Sequence, residues 1–471
     1  MSQADRATAD AAAAAEAAPP APEVAAATPA AKLLPPPTGS QIASTVSSKQ
    51  TAASLLKRRM TLTGMAELHV TDAGDPIAGS TINFTSPDGW LFFDKIRPSV
   101  VASTFLDRMF VNGKGAEMDT NVRIARYESG AIVIPQGPDF AAMTIFGGKS
   151  LTGASTRLQC YVDYDDKSLG AVAATASSLR LKRGYMATIA EHEDGTGISK
   201  NYVAQDHDIE VGSLPPGLER NVHFVRIFPW RWVAKKGVAG GIWQNLDVGW
   251  FYDWNIGQNS SLDLEYVPIK QNRGWPGLRQ DWKARGSTHL LGYNEPDHKD
   301  QSNTTVDEAI AAWPALLKTG LRLGSPAVSD GGLGWLYDFM EKADAAHLRV
   351  DFVAVHYYRA FPNPGDEKGA AKQFYNFVKG IHDRVKRPIW ITEWNNGANW
   401  TKAPDPNPHQ QKATIAAMIE MLDKTPFVER YAIYNWVEDC RHVLNKDGTL
   451  TPSGEAYRDR VSPLSYQQAR P

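Results

Sequence analysis

Cysteine is nearly absent: Cys160 and Cys440 are the only two in 471 residues. They fall in different expected domains, so no bridge between them is expected, and no CxxC or Cys/His ligand spacing supports a structural zinc. The fold must therefore stand on its apolar core. A long apolar run is also missing, so no membrane span is expected. Neither sign of charge dominates: 50 Lys+Arg against 52 Asp+Glu leave a net charge of -2. Such a balance offers no general attraction to nucleic acid or an anionic membrane. The N-terminus lacks the apolar segment of a signal peptide, being mostly Ala, Pro and Glu from Ala11 to Ala31, so no export route is visible. There is no G-x-S-x-G nucleophile elbow and no Gly-rich phosphate loop. What the chain has in excess is aromatic residues, 10% with 14 Trp. Trp faces stack on sugar rings, which favours carbohydrate, although any single Trp is as well explained by core packing.

The length suggests more than one domain. Residues 1–58 are Ala/Pro-rich and cannot bury enough apolar surface to offset ordering entropy, which predicts a disordered tail. Residues 59–218 hold short β-prone runs separated by Gly, Asp and Ser, such as Thr81–Phe84, Ala131–Ile134, Met143–Phe146 and Tyr185–Ile189; this predicts an all-β sandwich accessory domain. From 219 to 471 the pattern alternates strand and helix. Eight candidate strands follow in order: Phe224–Phe228, Val248–Tyr252, Leu264–Pro268, Thr288–Gly292, Leu321–Gly324, Phe352–His356, Ile389–Thr392 and Tyr431–Tyr434. After the fourth, Thr305 and Glu308 form a capping box, Val306, Ile310, Trp313 and Leu317 line one helix face, Pro314 should kink it and Gly320 should stop it. Further helices are expected over about 369–385 and 409–423. The expected architecture is α/β, a (β/α)8 TIM barrel, with little helix between its first three strands.

Two glutamates stand where apolar strands give way to polar residues: Glu295 in Asn294-Glu295-Pro296 and Glu393 in Thr392-Glu393-Trp394. Buried parallel strands read as continuous apolar runs, and a carboxylate ending one is not explained by packing. The two are 98 residues apart, which fits three strand–helix units of roughly 30 residues each. That would bring both to the same rim of a parallel barrel, where active sites collect. Two facing carboxylates are the machinery of glycosidic bond hydrolysis. Glu295 is expected as acid/base, with a pKa raised by burial and a nearby carboxylate. Glu393 is expected as nucleophile. Asn294 is placed to bond a sugar 2-hydroxyl, and His356 and Tyr358 share one face of strand six and reach the nucleophile or a sugar. Trp254, Trp394 and Trp436 are candidate sugar platforms. Asp297 and His298 lie near Glu295, yet no ligand spacing ties them to His356, so no metal and no cofactor is expected.

The string from Leu290 to Asp297, Leu-Leu-Gly-Tyr-Asn-Glu-Pro-Asp, together with Ile391-Thr392-Glu393-Trp394, resembles glycoside hydrolase family 128. Trp250–Trp254, Tyr266–Pro268, Gly324–Ala327 and Val353–Tyr358 carry the resemblance further, over roughly 222–460. It implies a retaining (β/α)8 enzyme acting on β-1,3-glucan, with Glu295 and Glu393 as its acid/base and nucleophile, a polysaccharide partner, and an extracellular or cell-wall setting. The region near Pro229-Trp230-Arg231-Trp232 departs from the pattern. Residues from about 141 to 212 resemble a βγ-crystallin-type module through Ile145–Ser150, Ser177–Leu181, Tyr185–Ile189 and Gly195–Gly197. Ala173, Ala174, Thr175 and Ala176 offer no carboxylate where calcium-binding members carry Asn or Asp. Two other readings stay open: a non-catalytic β-glucan-binding protein on the same scaffold, and a metal-dependent barrel enzyme. Endo or exo action, chain-length preference and oligomeric state are not set by these residues.

Overall fold

The computed structural model describes residues 32–36 and 41–469. Most of the expected tail, residues 1–31 and 37–40, lies outside the described residues. The part from Ile42 does not fit that expectation, because strands Ile42–Val46 and Lys49–Ala52 are formed there. Val46 and Leu55, 1% and 5% exposed, anchor this stretch in a core that Ala/Pro composition does not reveal.

Residues 59–218 do not make one sandwich. The chain from Ile42 to Pro135 coils so that successive strands fall alternately in two sheets. Ile42–Val46, Arg58–Leu62, Thr81–Phe84 and Met109–Val111 pair in parallel in one. Lys49–Ala52, Glu67–Val70 and Trp90–Phe93 pair in parallel in the other. Inward residues stack in register: Met60 on Ile82 on Met109, and Leu68 on Leu91 on Val133. Residues 143–229 form a separate unit of two four-stranded antiparallel sheets. In each half of it, the third strand (Asp163–Tyr164, Ile209–Val211) crosses into the opposite sheet. Its last strand is Phe224–Pro229, paired with Tyr185–Ala190. That run was expected to open the barrel. Val225 and Ile227 instead bury into the sandwich core, so the domain boundary falls after Pro229 rather than at 219.

The strands that follow are β1 (Lys236–Ala239), β2 (Trp250–Tyr252), β3 (Glu265–Tyr266), β4 (His289–Leu290), β5 (Arg322–Leu323), β6 (Val353–Tyr357), β7 (Ile389–Trp394) and β8 (Val428–Ile433). Six of them form one parallel sheet in the order β3-β2-β1-β8-β7-β6, and β4 pairs with β5. Parallel bridges Ile269–Leu291 and Gly324–Phe352 join the two sets into a ring. Trp250, Tyr252, Val267, Leu291, Phe352 and Trp390 fill its interior. Gly237 of β1 permits this filling, since a Cβ there would stand 2.3 Å from the Trp250 ring. Lower in the ring a buried charge network is internally matched: Arg430 meets Glu265 at 2.8 Å, and Arg322 meets Glu429. The capping box of Thr305 and Glu308 opens helix Val306–Ala312, and Pro314 starts a new short helix rather than kinking one. Glu367–Val385 and Pro408–Lys424 bury the expected faces, including Phe374, Ile381, Ile415 and Leu422. No long helix separates β1, β2 and β3.

The three units share a core. Trp90, Phe92 and Ile134 of the coiled unit, Met186 and Phe228 of the sandwich, and Trp230 and Trp232 of the connector belong to the same apolar cluster as the ring. Arg123 ties them, donating to the carbonyls of Gly184 and Trp230 at 2.8 and 3.1 Å. Trp232, 1% exposed, stands edge-on to Trp90 at 5.7 Å and beside Tyr127. Truncating a buried Trp costs about 3–5 kcal/mol. Trp232→Ala is therefore expected to lower stability by about that amount and to split the denaturant transition, with the N-terminal units melting apart from the ring. A single transition with an unchanged midpoint would contradict this coupling.

Candidate active site

Glu393 owes its position to a break in strand alternation. Along β7, Ile389 and Ile391 pack outward against helices and Trp390 points into the ring. The pairing with β6 then slips: Val355 pairs Ile391, and the next pair is His356 with Glu393. Such a bulge inserts one residue and reverses the facing of those after it. Glu393 thus enters the ring and Trp394 turns out. Trp394 is fully buried beside Phe374 and Tyr457 on the helix side, so the structure does not bring it to the site as a sugar platform.

The Glu393 carboxylate is 6% exposed and is met by donors on both oxygens. Tyr252 Oη and Trp254 Nε1 each donate to Oε1 at 2.8 Å. Tyr358 Oη donates to Oε2 at 2.5 Å. Glu295 follows β4, its N–H donating to Ala327 at 2.8 Å beside the Asn294–Ala327 bridge. Its φ of 38° and that of Trp254, 57°, are left-handed conformations, which for non-glycine residues cluster at functional sites. His356, completely buried, joins the two glutamates: Nδ1 lies 2.8 Å from Glu295 Oε1 and 3.5 Å from Glu393 Oε2. Laid end to end, those distances set the upper limit on the separation of the facing oxygens.

Burial opposes charge on His356, but the Glu393 carboxylate and the bond to Glu295 outweigh it and push its pKa up to about 8. Glu295 does not have the raised pKa expected of it. Burial does push it up, yet the hydrogen bond and charge of His356, with a smaller effect of His298, hold it below its ordinary value. The sequence led to an expectation that burial and a nearby carboxylate together raise it; the intervening His356 reverses the sign.

Asn294 donates to Gln301 at 3.1 Å, while its Oδ1 is buried without a protein partner, as is His356 Nε2. Trp436 packs edge-on to Trp254 at 5.6 Å. Asp297 accepts from Ser329 N–H and Oγ–H rather than facing the ring. Sequence reasoning missed Tyr252, although its signal was present: in Trp250-Phe251-Tyr252, alternation puts Tyr252 on the same inner face as Trp250. It also missed Tyr434, which packs between Trp254 and Tyr358. Trp243, Trp275 and Trp400 are exposed on the loops after β1, β3 and β7. Among the described residues, ligand-type atoms of Asp405, Glu438 and Cys440 come within 4.8 Å of one another. The Arg441 guanidinium already sits against all three, 2.8 Å from Asp405 and 3.5 Å from Cys440 Sγ.

Residues 231–457 match the family model described as glycosyl hydrolase catalytic core. Among curated proteins, alkali-sensitive linkage protein 1 of Schizosaccharomyces pombe is 27% identical over 228 residues, spanning 45% of this chain and 40% of that protein. The chain thus covers less than half the length of the curated relative it matches. Among solved structures, a subgroup I endo-β-1,3-glucanase of glycoside hydrolase family 128 from Amycolatopsis mediterranei, in complex with laminaritriose, is 31% identical, with 48% of this chain and 98% of that one covered and a TM-score of 0.41. A subgroup III curdlan-specific exo-β-1,3-glucanase of that family from Blastomyces gilchristii is 28% identical, with 48% and 98% covered and a TM-score of 0.39.

The raised pKa of His356 makes a signed stability prediction. A charge favoured in the folded state stabilises fully below the unfolded His value of about 6.5, and that stabilisation is lost as pH rises through about 8. The difference amounts to about 2 kcal/mol. Glu295 acts in the opposite direction, its contribution being lost as pH falls through its depressed value. Denaturant titrations at pH 6 to 9 should show the alkaline loss in the native protein, and His356→Gln should flatten it. An equal slope in both proteins would remove the imidazolium from between the glutamates.

Proposed function

We propose that this chain, a glycoside hydrolase by the catalytic core of residues 231–457, is a (β/α)8 β-1,3-glucanase of glycoside hydrolase family 128 that works by retaining double displacement. The observation that carries the reading is the convergence of Glu295 and Glu393 on His356 Nδ1, at 2.8 and 3.5 Å. Retention requires the two carboxylates to be close enough for one to attack the anomeric carbon while the other protonates the leaving oxygen, about 5–5.5 Å apart. Glu393, oriented by three hydrogen bonds from Tyr252, Trp254 and Tyr358, is suited to attack. Glu295 is suited to proton transfer, because its hydrogen bond to His356 gives it a partner from which a proton is taken and to which it is returned. Asn294 and His356 each keep a buried polar atom unpartnered beside Glu295, and a sugar hydroxyl would satisfy them. The β-1,3 linkage rests on the likeness of the strand-end residues to family 128. A polysaccharide substrate suits the exposed Trp residues on the surrounding loops.

The unit of residues 143–229 is read as a βγ-crystallin-type accessory module. Its paired four-stranded antiparallel sheets support that reading, and its contacts with the ring through Asp194–Lys318 and Ser199–Arg349 suit a supporting role.

Incubation with laminarin tests the activity. Release of reducing sugar with the β-anomer formed first is expected, and an initial α-anomer would overturn retention. Binding without products would favour the non-catalytic glucan-binding reading, and activity abolished by a chelator would favour a metal-dependent enzyme. Glu393→Gln is expected to keep the fold and to lose turnover by several orders of magnitude. Unchanged hydrolysis in that variant would sink the assignment.

A further inference from the structure

The two oxygens of Glu393 are not equivalent. An ionised carboxylate offers about four lone-pair directions, two on each oxygen. On Oε1 both are taken, by Tyr252 Oη and Trp254 Nε1 at 2.8 Å each. On Oε2 one is taken by Tyr358. The other faces His356 Nδ1 at 3.5 Å, beyond the hydrogen bond which that nitrogen makes to Glu295 at 2.8 Å. We propose that Oε2 is the oxygen that bonds to the sugar, and that Tyr252 and Trp254 are positioning residues that keep Oε1 out of the reaction and receive its charge when the sugar leaves. This rests on Glu393 being the nucleophile.

Trp254 is built to hold that place. Its backbone is left-handed, φ 57°, and the following residue is pinned by Ile269 N–H donating to the Asn255 carbonyl at 3.0 Å. Trp436 stands edge-on to it at 5.6 Å and Tyr434 at 5.9 Å. Trp436 in turn lies directly on Gly240, just past β1: a Cβ there, already strained at φ 88°, would stand 2.1 Å from the indole. Gly240, Trp436 and Trp254 thus form a chain of contacts ending on the nucleophile. Trp254 and Trp436 are better explained as nucleophile clamp and brace than as the sugar platforms their sequence position suggested.

The two halves of the reaction load the clamp differently. In the first, the Oε2–C1 bond forms, the bond from C1 to the leaving oxygen breaks, and a proton passes from His356 Nδ1 through Glu295 to that oxygen. In the second, a water oxygen bonds to C1, the C1–Oε2 bond breaks, and Glu295 takes the water's proton. The electron pair of the broken bond returns to the carboxylate and spreads to Oε1. Donors there stabilise the departing anion and slightly weaken the attacking one. The clamp therefore favours the second half at the expense of the first.

Trp254→Phe keeps a ring against Trp436 and removes the N–H. It is expected to slow the second half about ten- to a hundredfold, the loss of one hydrogen bond to a charged group. With an activated aryl β-laminaribioside, a burst of aryl alcohol and a fall in kcat and KM together should follow. Intact-protein mass spectrometry should show a glycosyl-enzyme accumulating in the steady state. Tyr252→Phe, which removes the other donor, and Gly240→Ala, which displaces Trp436, should act in the same direction and carry the test if Trp254→Phe does not fold. Folded variants with no burst, no adduct and no joint fall in kcat and KM would overturn the clamp. The reading beneath it is tested separately in the native protein: an ester mapped to Glu393 upholds it whatever the variants do, whereas products of inverted anomer with no ester remove both.

Discussion

Burying the Glu393 carboxylate is the constraint around which the upper end of the ring is built. At 6% exposure it is cut off from most of its hydration, and an uncompensated buried charge costs several kcal/mol. Compensation comes from far along the chain: Tyr252 and Trp254 from β2 and its loop, Tyr358 from beyond β6, and the His356 imidazolium. In the ring, β8 and β1 lie between β7 and β2, so these donors meet only because the sheet curls back on itself. Closing the ring and solvating the carboxylate are one requirement.

His356 couples that requirement to the second glutamate. Its Nδ1 stands within 3.5 Å of a carboxylate oxygen of each glutamate. The proton rests on the imidazole between them, and Glu295 lies below its ordinary value rather than above. Glu295 and His356 thus form a hydrogen-bonded pair, and the titration of either belongs to the pair rather than to one member. The lower ring solves the same problem without chemistry: Glu265, Arg430, Arg322 and Glu429 pair among themselves, and burial and Arg430 push His289 down to about 4.

The N-terminal units reach the catalytic ring through its outside, not its mouth. The hairpin of residues 191–197 packs against the Leu317–Lys318 turn that precedes β5, at the end of the strands opposite Glu295. Lys318 meets Asp194 there, and Arg349, just before β6, reaches Ser199. Trp230 and Trp232, which looked idiosyncratic in sequence, are the apolar plug of that junction. This geometry favours support of the ring over a direct part in holding substrate.

Seven of the eight ring strands, the capped helix at Thr305, and the residues Glu295, Glu393, Asn294, His356 and Tyr358 were legible because apolar runs, caps and polar strand ends are local signals. The strand expected to come first was assigned to the wrong unit, since Phe224–Phe228 is as apolar as a ring strand and its antiparallel partner, Tyr185–Ala190, lies some forty residues back. The coiled unit was read as a sandwich for a related reason: alternation reports which face of a strand is buried but not which strand lies beside it, nor in which direction. Trp394 was misplaced by the slip between β6 and β7, because one inserted residue reverses the facing of all that follow and leaves no mark in composition. By itself the sequence determined the inventory, two glutamates at strand ends with an aromatic and imidazole escort, because residue type and local period are written in the chain. Only the tertiary structure decided which oxygen of Glu393 is held, that a charged imidazole stands between the glutamates, and which tryptophans face the site, because each depends on distances between strands that the chain brings together only when the ring closes.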